Sequence, residues 1–236
     1  MIYLSKQIST LDPRLRLCAE LVRAGCKLAD IGTDHAYLPC ALAQSGKISS
    51  ALACDINEKP LESGQETINR CGVGDIVRPR LSNGLDKVSP DECDDIVIAG
   101  MGGELICSII EKAPWLKNGE KHLILQPMTR PEALRSYLYQ SGFEIELEQA
   151  VESERRLYTV MLAVYSGRVK TLSELEARVG ALKPSQRKLD RMYIDKIINS
   201  LKKKQEGLTL GGSIGEAERL SGLIIEIEKF KSGGQV

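Results

Sequence analysis

The stretch Asp30-Ile31-Gly32-Thr33-Asp34-His35-Ala36-Tyr37 gathers two carboxylates, an imidazole and a phenol around one glycine. Gly32 lets the backbone turn tightly and leaves room for a ligand. A phosphate cradle would want glycines where Asp34, His35 and Tyr37 stand, with a clear approach to a helix N-terminus. Asp30 and Asp34 would instead repel a pyrophosphate; they suit a ligand that carries positive charge. S-adenosylmethionine is such a ligand, with an ammonium, a sulfonium and no phosphate. The plainer use of Asp34 is to cap the helix that follows.

Asp55 lies 25 residues after Asp30, near the spacing at which an acid meets both hydroxyls of a bound ribose. Two charge-assisted hydrogen bonds there contribute roughly 1.5–3 kcal/mol each. That position alone does not separate a methyl donor from a nicotinamide dinucleotide. In Leu81-Ser82-Asn83-Gly84-Leu85, Asn83 could bond an adenine edge beside a close backbone, although Asn-Gly turns are common. Ala99-Gly100-Met101-Gly102-Gly103 sets three glycines at a strand-to-helix junction, a floor for the donor methyl where an acceptor enters. Gln126-Pro127-Met128 ends the next strand, opposite that floor.

These residues need a scaffold, and the apolar pattern supplies one. Short runs at 28–31, 50–55, 76–77, 95–99 and 122–125 alternate with helical stretches at about 36–46, 58–70, 103–112 and 131–141. That alternation predicts an α/β fold, a parallel sheet with helices on both faces and ligands at the carboxyl ends of the strands. A helix over about 12–24 precedes the first strand, with Asp12 as N-cap and Pro13 in its first position. Residues Phe143–Val151 and Arg155–Tyr165 form two strands joined by Glu152-Ser153-Glu154, with no helix between them. The sheet is therefore expected to have seven strands, the last antiparallel. That ending resembles the Rossmann-like sheet of class I methyltransferases.

Composition shifts near Ser166-Gly167, which divides the chain into a first domain at 1–166 and an appendage at 167–236. A short helix is expected within 171–182. Two longer amphipathic stretches follow, one carrying Leu189, Tyr193, Ile194, Ile197, Ile198 and Leu201, the other Leu220, Leu223, Ile224, Ile227 and Phe230. The Gly211-Gly212 turn suits an antiparallel, coiled-coil-like helical pair. Between Lys183 and Lys204 eight basic residues stand against two acidic ones, a net of +6. The whole chain of 236 residues is formally neutral, so it cannot coat nucleic acid through bulk charge; any contact must come from a local patch. No apolar run approaches a membrane span, and residues 1–10 hold no signal-peptide core. Seven scattered cysteines and two histidines, never spaced as Cys-x-x-Cys, speak against zinc or a disulfide framework. Cys18, Cys54 and Cys107 read as packed small hydrophobes. The expectation is a cytoplasmic, metal-free monomer.

Taken together, residues 30–39, Gly100-Met101-Gly102-Gly103, Gln126-Pro127 and Leu11-Asp12-Pro13-Arg14-Leu15, followed by a helical appendage, resemble the bacterial tRNA (adenine-N1)-methyltransferase TrmK family. The resemblance implies methyl transfer from S-adenosylmethionine to N1 of the adenine at position 22 of tRNA. It implies a donor pocket of Arg14, Asp30, Gly32, Asp34, His35, Asp55, Ser82, Asn83, Gly84 and Ala99-Gly100-Met101. Asp34, Tyr37 and Gln126 are the candidates to aim the acceptor nitrogen. No Asp/Asn-Pro-Pro-Tyr tetrapeptide of the amino-group methyltransferases is present, which fits a ring-nitrogen acceptor. Lys183, Arg187, Lys188, Arg191, Lys202, Lys203 and Lys204 are the candidates to hold tRNA phosphates. Two other readings stay open at this point: a nicotinamide-dependent oxidoreductase on the same sheet, and a non-catalytic RNA-binding protein.

Overall fold

The computed structural model describes residues 8 and 10–233, so most of the stretch assessed for a signal peptide lies outside the described residues. Helix α1 (Pro13–Leu21) starts where expected, because the Asp12 carboxylate accepts from the Arg14 N–H at 2.9 Å and Pro13 tolerates the first turn. Four strand–helix pairs and one strand without a helix follow: β1 (Lys27–Ile31), α2 (Tyr37–Gln44), β2 (Ser50–Asp55), α3 (Glu58–Cys71), β3 (Val77–Leu81), β4 (Asp95–Gly102), α4 (Gly103–Glu111), β5 (His122–Thr129) and α5 (Pro131–Gln140), with a 3-10 turn (Pro90–Glu92) standing between β3 and β4. Strands β6 (Phe143–Ser153) and β7 (Arg156–Tyr165) then complete one seven-stranded sheet in the order β3-β2-β1-β4-β5-β7-β6.

The first five strands are mutually parallel, and β7 is antiparallel to both β5 and β6. The hairpin link differs from the expected Glu152-Ser153-Glu154. Glu152 and Ser153 remain in β6, and the turn is Glu154-Arg155, with φ of 49° and 61°. Two successive positive φ values give the turn hand that matches the right-handed twist of paired strands. Strand β3 also extends beyond the expected 76–77, through Arg78-Pro79-Arg80. A proline fits there because β3 is the sheet edge.

Helices α1, α2 and α3 cover one face of the sheet, and α4 and α5 the other. The appendage comprises α6 (Glu174–Val179), α7 (Lys188–Leu210) and α8 (Ile214–Lys231). Its seam of Ile194, Ile198, Leu201, Leu220, Ile224 and Ile227 continues onto Ala150 of β6. No helix among the described residues is long and apolar enough to cross a membrane.

Two polar contacts fix the appendage to the sheet. The buried Arg135 of α5 pairs with Glu148 of β6 at 2.6 Å, and its Nη1 donates to the carbonyls of Ala177 and Arg178 at 2.7 and 2.9 Å. Glu148 also accepts from the Ala181 N–H at 3.0 Å. Gly180 sits between them at φ +59°, where a Cβ would lie 2.1 Å from Glu148 Oε2. Asp190 of α7 accepts from the Ala150 N–H at 2.8 Å and from the Lys183 N–H at 2.9 Å. Because β6 is the other sheet edge, Asp190 satisfies a strand N–H that has no neighbouring strand.

Removing one member of the buried pair leaves an uncompensated charge. Arg135→Ala is therefore expected to lower stability by about 3–5 kcal/mol in urea denaturation, and the paired change Arg135→Met with Glu148→Leu by much less.

Candidate active site

Strand order reverses between β1's two neighbours, β2 and β4, and the crevice at their carboxyl ends is where a doubly wound sheet takes ligands. At that point the N–H groups of Gly32 and Thr33 both donate to the Cys54 carbonyl at 2.9 Å, which folds the chain over the end of β2. Gly32 has φ +73°, and Asp34 and Ala36 also take positive φ. Helix α2 is entered through Ala36 with no side-chain cap bond. Asp34 is thus not its cap. Its carboxylate is 69% exposed and lies 3.5 Å from His35 Nε2.

The turn forms one wall of a cavity of about 380 Å³, a size suited to a small-molecule site. Nine of the expected donor-pocket residues line it: Arg14, Asp30, Gly32, Asp34, His35, Asp55, Ala99, Gly100 and Met101. Tyr37 joins them, half exposed, with its ring stacked on His35 at 5.2 Å between centroids. Asp30 is buried and accepts from the Thr33 hydroxyl at 2.6 Å. Burial, reinforced by the charge of Asp55, pushes its carboxyl up to about 6 despite that hydrogen bond. No Lys, Arg or His forms an ion pair with Asp30 among the described residues. Met101 lies across the turn, where a Cβ on Gly32 would meet its Cε at 2.2 Å.

Gln126 holds the opposite wall from beneath. It is fully buried, its Oε1 accepts from the Gly100 N–H at 3.1 Å and from Arg14 Nη1 at 3.4 Å, and its Nε2 donates to the Pro127 carbonyl. It positions the Ala99-Gly100-Met101 turn and faces no open space. Asp12 ties Arg14 in place from the other side, accepting from Arg14 Nε at 2.9 Å and from the Ser153 hydroxyl at 2.5 Å.

Ser82, Asn83 and Gly84 do not line the cavity. The Ser82 hydroxyl donates to the Gly84 carbonyl and accepts from the Lys87 N–H, and the Asn83 amide donates to Asp86. Thr33, Asn57 and Pro60 line the cavity instead and escaped the sequence reading. The signal for Asn57 was local: in Asp55-Ile56-Asn57 its N–H donates to Asp55 Oδ1 at 3.0 Å. Gly103 serves packing, since a Cβ there would lie 2.4 Å from the Arg130 carbonyl. Cys54 and Cys18 are packed in the core and Cys107 is partly covered, and burial pushes all three thiols up, Cys54 to about 12 and Cys107 to about 11.

The seven basic candidates of the appendage divide into two groups. Lys202 pairs with Glu228 at 2.9 Å, Lys204 with Glu216 at 3.5 Å and Arg187 with Asp190 at 3.5 Å. Lys183, Lys188, Arg191 and Lys203 are exposed and in no ion pair among the described residues.

Residues 11–161 match a family described as a methyltransferase domain. The chain is 34% identical over 172 residues to the tRNA (adenine(22)-N(1))-methyltransferase of Bacillus subtilis, covering 73% of this chain and 72% of that one. It is similar to a Streptococcus pneumoniae protein solved in complex with S-adenosyl-L-methionine, with a TM-score of 0.77, 32% identity and coverage of 92% and 98% of the two chains. A third likeness is to M. capricolum TrmK in complex with S-adenosyl-homocysteine, with a TM-score of 0.78, 27% identity and coverage of 94% and 98%.

The elevated Asp30 carboxyl makes a ligand-free stability prediction. With a folded value of about 6 against 3.8 unfolded, the native state binds the extra proton between those limits. Stability from this group is therefore present below pH 4 and lost as pH rises through 6, by about 3 kcal/mol. Urea titrations from pH 4 to 8 should show the wild type losing that amount relative to Asp30→Asn; parallel curves would refute it.

Proposed function

The chain belongs to the tRNA (adenine(22)-N(1))-methyltransferase family, and from that premise we propose that it methylates N1 of the adenine at position 22 of tRNA. The observation that carries this reading is Asp30, a buried carboxylate without a basic partner among the described residues, in a cavity that lacks a phosphate cradle. Such a donor set fits S-adenosylmethionine. Asp30 and Asp34 would take its positive end and Asp55 its ribose, with Arg14, His35 and the Ala99-Gly100-Met101 turn completing the cavity wall.

The cofactor supplies a methyl group activated by a sulfonium. Neutral adenine already bears a lone pair on N1, in the ring plane, so no residue has to remove a proton before attack. The chain's residues then act by orientation and by excluding water. Gln126 holds Arg14 and the Gly100 turn in register through one carbonyl oxygen. The stacked His35–Tyr37 pair gives an extruded base an aromatic platform at the cavity rim. Asp34, exposed beside it, would accept from the exocyclic amine. Lys183, Lys188, Arg191 and Lys203 would meet tRNA phosphates directly. Lys202 and Lys204 would first have to leave a carboxylate, a small loss for exposed pairs, whereas Arg187 would have to leave the fully buried Asp190.

Incubation with unmodified tRNA and S-adenosylmethionine, followed by nucleoside mass analysis, should show 1-methyladenosine at one site. Gln126→Ala should lower kcat about 10–100-fold, because it frees both Arg14 and the Gly100 turn. If Asp34→Ala keeps wild-type turnover while binding the donor, Asp34 has no part in aiming the base.

A further inference from the structure

A second cleft, of about 250 Å³, opens between the β5–α5 turn, the start of β7 and helix α7, lined among others by Pro127, Arg130, Tyr158, Tyr193, Lys196 and Ser200. It lies at the same end of the sheet as the donor cavity. Pro127 directly follows Gln126, which holds the Gly100 turn of that cavity. The two openings also share a side-chain bridge. The Arg14 guanidinium, in the donor cavity wall, lies 5.3 Å from the centre of the Tyr158 ring, and Lys196 Nζ of α7 lies 5.9 Å from the same ring.

Of the cations lining this cleft, Arg130 and Arg178 face glutamates, and Lys196 does not. Lys196 Nζ donates to the Leu157 carbonyl at 2.7 Å and faces Tyr158 and Tyr193, with no carboxylate partner among the described residues. Burial and the nearby charge of Arg156 push its pKa down, so an anion arriving here would restore what the free protein lacks. Arg155 and Arg156 are exposed and in no ion pair among the described residues. They stand at the hairpin tip, Arg155 in the positive-φ turn and Arg156 opening β7. The distal helical pair is different. There Lys202 and Lys204 already face Glu228 and Glu216 of α8.

We propose that this cleft and the adjoining hairpin tip grip the tRNA strand flanking the target adenine, with Lys196 in the cleft and Arg155 and Arg156 beside it taking its phosphates. The proposal rests on the tRNA reading above and moves the principal phosphate contacts from the distal lysines to the base of the appendage. Arg130 is the reserve cation of the same cleft, held by Glu104 and Glu132 at 3.1 and 3.5 Å. The bridge from Lys196 through Tyr158 to Arg14 sets the distance between gripped backbone and donor cavity. An extruded base is thereby delivered beside Tyr37 without a hinge.

The test measures binding of a labelled, unmodified tRNA transcript to the full chain between about 50 and 250 mM salt, alongside calorimetry with S-adenosylmethionine. The triple variant Arg155→Gln, Arg156→Gln, Lys196→Gln is expected to bind tRNA at least about tenfold more weakly, with a log–log salt slope smaller by about 2 and donor affinity within about twofold of wild type. The exposed pair Arg155→Gln, Arg156→Gln keeps the test valid should the Lys196 change disturb packing, and should lower the slope by about 1.5. A comparison triple at Lys202, Lys203 and Lys204 is expected to cost less affinity than either set. Wild-type salt slope in the hairpin variants, or a larger loss from the distal triple, would overturn the proposal. Nucleoside analysis of the wild-type reaction separates the two ideas: 1-methyladenosine with an unchanged hairpin slope sinks the cleft alone. No methylated adenine sinks the functional reading, and the slopes still decide the cleft.

Discussion

A carboxylate kept out of water at the reversal point of the sheet is the constraint on which the site depends. Asp30 is paired through its backbone with Ala53 on one side and Val97 on the other, so the strand that carries it cannot yield. Its side chain has one hydrogen bond, from Thr33, and a second acid nearby. In the free protein that arrangement is unfavourable, and a local loss of stability is what a site made for a cation requires. The surrounding residues keep it so. Gly32 admits the Met101 side chain across the turn, and Gln126 locks the facing Gly100 turn from below.

Much of this was legible in the residue pattern, and the exceptions have physical reasons. Helix α1 could be placed from Asp12-Pro13, because caps and prolines act within a few residues, and α5 from its apolar pattern. Strand β3 was cut short because Arg78-Pro79-Arg80 offers no apolar run, which only an edge strand can afford. The Glu154-Arg155 turn was hidden because neither residue advertises positive φ. Ser82-Asn83-Gly84 drew attention as a ligand turn, yet its polar groups are consumed by Gly84, Lys87 and Asp86. No local pattern marks Arg135 or Glu148 for burial; only the docking of α6 over both removes them from water.

Charge counted along the chain misled in a related way. A net of +6 between Lys183 and Lys204 suggested a uniformly basic stretch. Folding sets α8 against the distal part, and its glutamates answer Lys202 and Lys204 across the helical pair. At the base of the appendage, α7 meets strands as well as the end of α8, whose Lys231 answers Asp195, and Lys196 finds aromatic rings and a carbonyl there. Electrostatic availability thus depends on what each helix turn faces, which a linear count does not contain.

The appendage is also less separate than a boundary at residue 166 implies. Asp190 bonds the edge of β6, Arg135 and Glu148 bind the end of α6, and Lys196 shares Tyr158 with Arg14. For a reaction whose nucleophile needs no base, little chemistry is left for side chains to perform, and rate must come from holding the acceptor in line. An RNA-binding helix joined by a free linker would leave that geometry to chance. One fixed by buried polar contacts to the sheet that carries Asp30 turns grip on the backbone into position at the methyl donor. If the base of the appendage grips the RNA as proposed, rigidity between the two parts helps hold the acceptor in line, and the buried pair behind α6 supports that rigidity.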